Sequence, residues 1–413
     1  MARRQTRERR SSTEWGVRAS LAFAAIVLGY AATTWSFASA LRTRQPERAH
    51  AFAPHDGRIL AELAEQWSGP EATAERRTRA DAFARDALRR DPTTVAAAAT
   101  LGLNAQIRGD TPAARRWFGF AEKLSRRDLR TQLWAIEYSV GRGDVPGTLR
   151  HYDIALRTSR SAAGLLFPVL GSAISDGAIR AALTQTMARK PDWAPFFVAD
   201  VAAGDNDPKA VALLFQGFTA AGIDVSDRAR SQVIARLVQA NEIGPAWAYY
   251  ASIRPGASRS KSRDPRFTAQ LADPTPFDWQ PVNDAGITAS IQPGNGGGLV
   301  DFAAPASVGG VLLRQFQWLP PGDYAIEGHS SGVDQPAESQ PYWVLACAGG
   351  RELGRVAVPR SSEAAGRFSG RFSVPADCPT QYLTLNARPS DAVGGTVGQI
   401  DRVLLQPLRG ARQ

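Results

Sequence analysis

Four regimes of hydrophobic patterning follow one another along this chain. Residues Ala19 to Leu41 run for twenty-three positions without a charge, and at about 1.5 Å per helical residue that spans a bilayer core of roughly 30 Å. From about 57 to 253, apolar residues recur at spacings of three and four, the period of amphipathic helices. Residues 254–276, RPGASRSKSRDPRFTAQLADPTP, are poor in apolar side chains and follow no period; they predict a basic Pro/Ser-rich linker, a solvated tether. From 277 to 408 the period becomes two, that of half-buried strands. Eight or nine strands are predicted there, the candidates being 286–292, 298–303, 310–318, 322–328, 341–348, 352–358, 367–374, 380–387 and 398–405. Pro293-Gly294-Asn295-Gly296, Pro320-Pro321-Gly322-Asp323, Gly349-Gly350 and Gly394-Gly395 supply turns between them. The expected fold is therefore multidomain α + β: an N-terminal transmembrane helix, an α-helical solenoid and a C-terminal antiparallel β-sandwich of jelly-roll type.

Charge orients the first segment. Arg3, Arg4, Arg7, Arg9, Arg10 and Arg18 precede the apolar run, and only Arg42, Arg44 and Arg48 follow it closely. That bias puts residues 1–18 in the cytoplasm as a basic tail, 19–41 in the membrane and 42–56 outside as a juxtamembrane linker. Trp15 and Trp35 lie near the two ends, where indoles favour the membrane–water boundary. Ala38-Ser39-Ala40 also fits a small-x-small cleavage site, so a signal peptide cut after Ala40 is the alternative; its apolar part would be long against the usual ~7–15 residues. A buried soluble helix is the third option. The first two export the rest of the chain, and the expected location is a bacterial inner membrane, single-pass, with the bulk periplasmic.

Within the helical region the segment RGDTPAARRWFGFAEKLS from Arg108 recurs, 34 residues on, as RGDVPGTLRHYDIALRTS from Arg142. Gly109 aligns with Gly143, Asp110 with Asp144, Pro112 with Pro146, Phe118 with Tyr152 and Ala121 with Ala155; a further step back reaches Ala87. This resembles the tetratricopeptide repeat family, with Gly102, Ala114 and Ala121 at its small-residue positions and Pro92 closing the preceding repeat. The resemblance implies pairs of antiparallel helices stacked into a solenoid that holds a protein partner. Gly109-Asp110 and Gly143-Asp144 suit the turn inside each pair, because glycine reaches positive φ without strain. Pro112 and Pro146 suit the opening of the second helix, where a missing N–H costs nothing. The third unit departs from the pattern at Ile136 and Thr148, and His151 stands where the second has Trp117. Ser161–Ile174, Asp176–Ala188, Pro191–Ala203, Lys209–Ala221, Asp227–Asn241 and Gly244–Ile253 are predicted to continue the helices, with Ser226 and Asp227 as candidate N-caps. Five or six helix pairs over 57–253 are expected.

In the β region, RQFQWLPPGDYAIEG from Arg314 and GQIDRVLLQPL from Gly398 are similar to phrases in carbohydrate-binding modules of the galactose-binding-like jelly-roll kind. The likeness covers the first third and the end of the domain and implies a fold more than a ligand. Trp343, Leu345 and Cys347 share one side of their strand. Tyr342 and Tyr382 fall out of phase with the core faces and are the candidate glycan contacts; Trp279, Trp318 and Trp343 sit where tryptophan is more often core.

Composition narrows the function. The net charge of +10 is carried almost wholly by arginine, with four lysines; it is partly local to the N-terminal tail, and no nucleic-acid partner is expected. A basic exterior suits an anionic lipid surface or acidic polysaccharide. The two cysteines, Cys347 and Cys378, read as a disulfide in an exported domain, the alternative being two free buried thiols. Their spacing fits no zinc pattern, the four histidines have no sequence-near Ser/Asp or Cys partner, and the Gly294–Gly298 cluster lacks the lysine and helix of a phosphate loop. No cofactor, metal or catalytic residue is therefore expected. The expected function is a non-catalytic scaffold or accessory protein for cell-envelope or exopolysaccharide assembly, taking protein through the helices and glycan through the sandwich. The alternatives are a purely protein-binding assembly factor with a structural sandwich and, from another class, a glycan-processing enzyme with two carboxylates converging in space.

Overall fold

The structure, a computed structural model, describes residues 12–292, 294, 297–390 and 394–408. The expected cytoplasmic arginines Arg3, Arg4, Arg7, Arg9 and Arg10 lie outside the described residues, as do Pro293, Asn295 and Gly296 of the first expected turn. The chain divides into two compact units, residues 1–166 and 167–413.

The first unit opens with α1 (Ser12–Leu41), of which Thr13–Leu41 is long and apolar enough to cross a membrane, with a mean hydropathy of 1.5. Its apolar side chains stand exposed: Leu21, Ile26 and Leu28 each show about two thirds of their surface. Water disfavours such a surface; hydrocarbon does not. The expected linker 42–56 is in fact folded. Within it α2 (Pro46–Phe52) turns back onto the last turns of α1. Ala38 and Ala49 are both fully buried and pack with Ile59, while Phe37 stacks on Phe52 at 6.4 Å. Pro46 in the first helical turn starts α2, and paired alanines let it approach α1 closely.

Six further helices follow: α3 (Gly57–Trp67), α4 (Ala74–Arg90), α5 (Val95–Ile107), α6 (Thr111–Leu124), α7 (Leu129–Val140) and α8 (Val145–Thr158). They pack as three consecutive hairpins, α3 on α4, α5 on α6 and α7 on α8. The second helices end at Arg90, Leu124 and Thr158, 34 residues apart each time. The recurring Gly-Asp pair explains two of the hairpins. Gly109 and Gly143 take φ of +80° and +68°, and Asp110 and Asp144 then accept the N–H of Ala113 and Gly147 as N-caps. Gly102 is equally constrained: a Cβ there would stand 2.8 Å from the Phe118 ring. In the departing third hairpin the Thr148 hydroxyl donates back to the Asp144 carbonyl at 2.8 Å. His151 is buried, with Nδ1 2.8 Å from Gln132 Oε1. Burial pushes its pKa below the ordinary value, Glu122 opposing and Arg150 assisting.

Helix α9 (Ala162–Ala173) carries the division between the units. The second unit holds α10 (Gly177–Met187), α11 (Ala194–Ala203), α12 (Pro208–Ala220), α13 (Asp227–Gln239) and α14 (Ile243–Ile253). Ser226, not Asp227, caps α13 by accepting the N–H of Ala229. Ten strands then form two antiparallel five-stranded sheets. They are β1 (Gln280–Pro281), β2 (Thr288–Gln292), β3 (Leu299–Ala304), β4 (Gly310–Gln317), β5 (Gly322–Ser331), β6 (Tyr342–Cys347), β7 (Glu352–Ala357), β8 (Arg367–Val374), β9 (Gln381–Ala387) and β10 (Thr396–Pro407). One sheet runs β1-β4-β9-β6-β7, the other β2-β3-β10-β5-β8. Most consecutive strands change sheet, only β2–β3 and β6–β7 pairing in place, which is jelly-roll connectivity. Trp343, Leu345, Leu383 and Leu385 from the first sheet meet Ile326, Phe368, Val403 and Leu405 from the second in one core. Cys347 and Cys378 form a disulfide with Cα atoms 5.6 Å apart, so the free-thiol alternative falls.

Residues 254–276 correct the expectation of a solvated tether, and with it the boundary expected at 253. Ser262 pairs with β10: its N–H donates to the Leu405 carbonyl and its hydroxyl accepts the Leu405 N–H, both at 2.9 Å. Phe267 lies fully buried in the sandwich core. Arg263 is buried as well, donating to the Phe277 carbonyl and to Gln317 Oε1, each at 2.8 Å, and to the Phe316 carbonyl. Burial pushes its pKa down to about 10, with Tyr250 and Asp278 opposing. From α14, the Tyr250 hydroxyl donates to Asp278 at 2.8 Å and Trp247 meets Phe277 edge-on at 5.2 Å. Segment, last helix and sandwich are thus one packed body.

Candidate ligand-binding face of the sandwich

The alternation that builds the core also decides which side chains stand outside it. On β6 the inward residues are Trp343 and Leu345, so Tyr342, Val344 and Ala346 point away from the core. Register places Asn386, Thr384 and Tyr382 of β9 opposite these three in turn. Arg314 of β4 faces Thr384, and Arg355 of β7 faces Val344. The outer face of this sheet is therefore a platform of hydroxyl, amide, guanidinium and aromatic groups.

Tyr342 is half-buried, with the Arg355 guanidinium over its ring at 4.4 Å and that of Arg388 at 4.5 Å. Arg355 comes from the strand on one side; Arg388 follows the end of the strand on the other. Arg355 is held by both carboxylate oxygens of Glu352, at 3.1 and 2.9 Å, and this contact raises its pKa. Arg388 donates to the Glu338 carbonyl at 3.4 Å. Arg314 donates to Gln280 at 3.1 Å. The strands of this sheet carry two guanidiniums, Arg314 and Arg355, against the single carboxylate Glu352, and Arg388 adds a third just beyond the end of β9. Asn386 donates to the Thr384 hydroxyl at 2.9 Å, and its amide oxygen is by nature an acceptor.

Tyr382 occupies a different place. It lies four residues along β9 from Asn386, the partner of Tyr342, so the two candidate glycan contacts are not brought together. Its ring meets Phe316 edge-on at 5.1 Å, Phe316 meets Phe277 at 5.5 Å and Phe277 meets Tyr250 at 5.1 Å. Tyr382 thus ends an aromatic ladder leading back into α14. Trp279 and Trp343 are core, 5.8 Å apart and buried. Trp318 is half-buried, covered by the Arg259 guanidinium at 3.2 Å.

The other sheet presents a polar outer face on which several charges are paired, while Arg367 and Arg371 of β8 stand exposed. His329 Nδ1 lies 2.8 Å from Asp401, Arg402 pairs with Glu327 at 3.0 Å, and Gln399 donates to Asp301 at 3.1 Å. A cavity of about 570 Å³ lies there, lined by Glu327, His329, Arg367, Ser369 and Arg402 among others. Both carboxylates of the pairs, Glu327 and Asp401, are held by a basic side chain. The guanidiniums flanking Tyr342 were missed in sequence; the phase of Tyr342 was visible there, but its neighbours depend on strand register.

No protein-family model matches the chain, and no curated protein matches it. Several solved structures resemble part of it. A domain of the bacteriophage CBA120 tailspike protein 4 is 10% identical, with a TM-score of 0.23, over 32% of this chain and 19% of that one. The glycosylation-associated protein complex Gap123 of Streptococcus agalactiae is 11% identical, with a TM-score of 0.22, over 32% of this chain and 44% of that one. A CBM4 structure is 15% identical, with a TM-score of 0.25, over 37% of this chain and 99% of that one. The chain therefore spans under a fifth of the tailspike domain and under half of the Gap123 chain. Likeness at this level assigns no family, and the function is argued from the residues themselves.

Proposed function

We propose that this chain is a non-catalytic scaffold anchored in the bacterial inner membrane by α1, N-terminus in the cytoplasm, and that its exported sandwich takes an acidic glycan on the outer face of the β1-β4-β9-β6-β7 sheet. The observation that carries it is the cationic surplus around Tyr342. Arg355, Arg388 and Arg314 line one face with Thr384 and Asn386, and Glu352 is the one acidic residue within its five strands. Planar guanidiniums bind carboxylate or sulfate through paired hydrogen bonds, and the amide and hydroxyl suit sugar hydroxyls. Tyr342 holds the two guanidiniums in position; Tyr382 flanks the face at its aromatic end. The three hairpins with their 34-residue period support a tetratricopeptide-like module, with a protein partner for the helices. The exposed apolar α1 and the disulfide support an exported, membrane-held chain.

The test is retention of the detergent-solubilised full chain on immobilised uronate-containing polysaccharide. The parent should be retained, released by salt, and pass through a neutral glucan of similar length. Arg355→Ala with Arg388→Ala should abolish retention while leaving the fold intact by circular dichroism. A parent that passes through both columns would make the sandwich a protein-docking module instead.

A further inference from the structure

A second polar cavity lies in the first unit, where α1 leaves its apolar run. It has a volume of about 330 Å³ and is lined by Arg42, Arg58, Glu62, Asp91, Thr93 and Thr94 among others. Arg42 is the first charged residue after the uncharged stretch that begins at Ala19. A helix crossing the bilayer with that stretch therefore delivers Arg42 to the headgroup layer, where arginine favours lipid phosphate. Phe37 and Phe52, stacked on each other and each at least half exposed, mark the same level.

The groups in this cavity are unevenly committed. Arg42 Nε is shielded from solvent and makes no hydrogen bond, a donor that costs free energy until an acceptor reaches it. Arg58 is exposed and touches Asp91 only at 3.4 Å. Asp91 is already satisfied: it accepts the Thr93 N–H at 3.0 Å and the Thr93 hydroxyl at 2.6 Å, and these bonds lower its pKa. Thr94 turns its hydroxyl to the Asp91 carbonyl and leaves the first turn of α5 without a side-chain cap. One wall thus offers guanidinium and amide donors, and the half-buried Glu62 offers a carboxylate. A purely anionic ligand would meet that carboxylate; a zwitterion would match both signs.

We propose that this cavity holds the headgroup of an aminophospholipid, its phosphate toward Arg42 and Arg58 and its ammonium toward Glu62. The site rests on α1 crossing the bilayer and is independent of the glycan face. It fixes the first repeat hairpins against the membrane surface, since Arg58 and Glu62 both belong to α3.

The test uses the full chain in nanodiscs of equal phosphatidylethanolamine, phosphatidylglycerol and phosphatidylcholine, followed by native mass spectrometry of retained lipid. Phosphatidylethanolamine should be enriched several-fold over both others. Arg42→Gln should lower its retention about tenfold, the loss of a charge-assisted contact, and Glu62→Gln should erase the preference over phosphatidylglycerol. Arg44→Gln, an exposed neighbour outside the cavity, should change neither. Inorganic phosphate added in excess to the lipid-bound chain should leave the lipid in place. Displacement by phosphate would make this a free-anion site and overturn the proposal. Equal retention of the three lipids, or unchanged retention in both cavity variants, overturns it too. A parent that fails to float with vesicles overturns it through the anchor, and one that floats but retains no phosphatidylethanolamine overturns the cavity alone.

Discussion

Removing the guanidinium of Arg263 should unlock the segment that ties α14 to the sandwich. Arg263→Ala strands three buried acceptors at once: the Phe277 carbonyl, Gln317 Oε1 and the Phe316 carbonyl. An uncovered buried acceptor costs about 1–3 kcal/mol, part of which is relieved as the site relaxes. The variant also removes a buried charge that interacts with Asp278, leaving that carboxylate with the Tyr250 hydroxyl, the Thr275 N–H and hydroxyl, and Arg254 at 4.0 Å. Breaking one side of a buried charged network typically costs about 3–5 kcal/mol. A loss of about 4 kcal/mol is therefore expected, a large share of the ~5–15 kcal/mol that holds a domain folded. Lysine should not restore it, because one ammonium on a flexible stem cannot reach three acceptors disposed around a planar fork. Urea unfolding of the detergent-solubilised full chain measures the loss. Trypsin adds a local readout, since Arg259, Lys261 and Arg266 flank the site. In the parent the bonds after Lys261 and Arg266 should resist cleavage, and in the variant they should be cut early. A parent cleaved there at once, or a variant with an unchanged urea midpoint, would refute the packed-segment argument.

Three other outcomes follow from the same physics. His151 has a folded pKa below its ordinary value of about 6.5, so above that pH both states are neutral and nothing is lost; as pH falls below it the unfolded chain takes the proton first, and stability should decline until the folded value is passed. Thermal melts from pH 7.5 to 5 should show that slope in the parent and lose it in His151→Gln. Replacing Cys347 and Cys378 with serine opens a loop with a sequence separation of 31, and the chain-entropy model gives about 3–4 kcal/mol of lost stability; an unchanged melt would show that the bond is idle. Trp343→Ala, at a fully buried position between Trp279 and Phe368, should cost about 3–5 kcal/mol through the cavity it leaves, and chemical denaturation would read it directly.

Much of the fold was legible because its signals are local. Strict alternation placed all nine long strands, with bounds shifted by a few residues, and Gly-Asp pairs marked two hairpin turns before any contact was known. The two residues of β1 carry no period and were missed, as was α2, whose seven residues are too few to show one. The segment 254–276 misled for a different reason. Its serines and arginines look solvated one by one, and only spatial convergence of Gln315, Gln317 and the Phe277 carbonyl gives Arg263 a buried home. The candidate site divides in the same way. The phase of Tyr342 followed from Trp343 and Leu345, whereas Arg355 and Arg388 reach it through sheet register, which one sequence does not display. The separation of Tyr342 from Tyr382 is likewise a matter of register.

The central claim is that the sheet face around Tyr342 reads acidic glycan. Calorimetric titration of the full chain with a uronate-containing oligosaccharide, and with its neutral carboxyl-reduced counterpart, tests it most directly. Binding of the acidic form alone, weakening as salt rises and lost in Arg355→Ala/Arg388→Ala, is the result expected from guanidinium–carboxylate recognition. Equal heats for both oligosaccharides, or acidic binding that survives the double substitution, would contradict it.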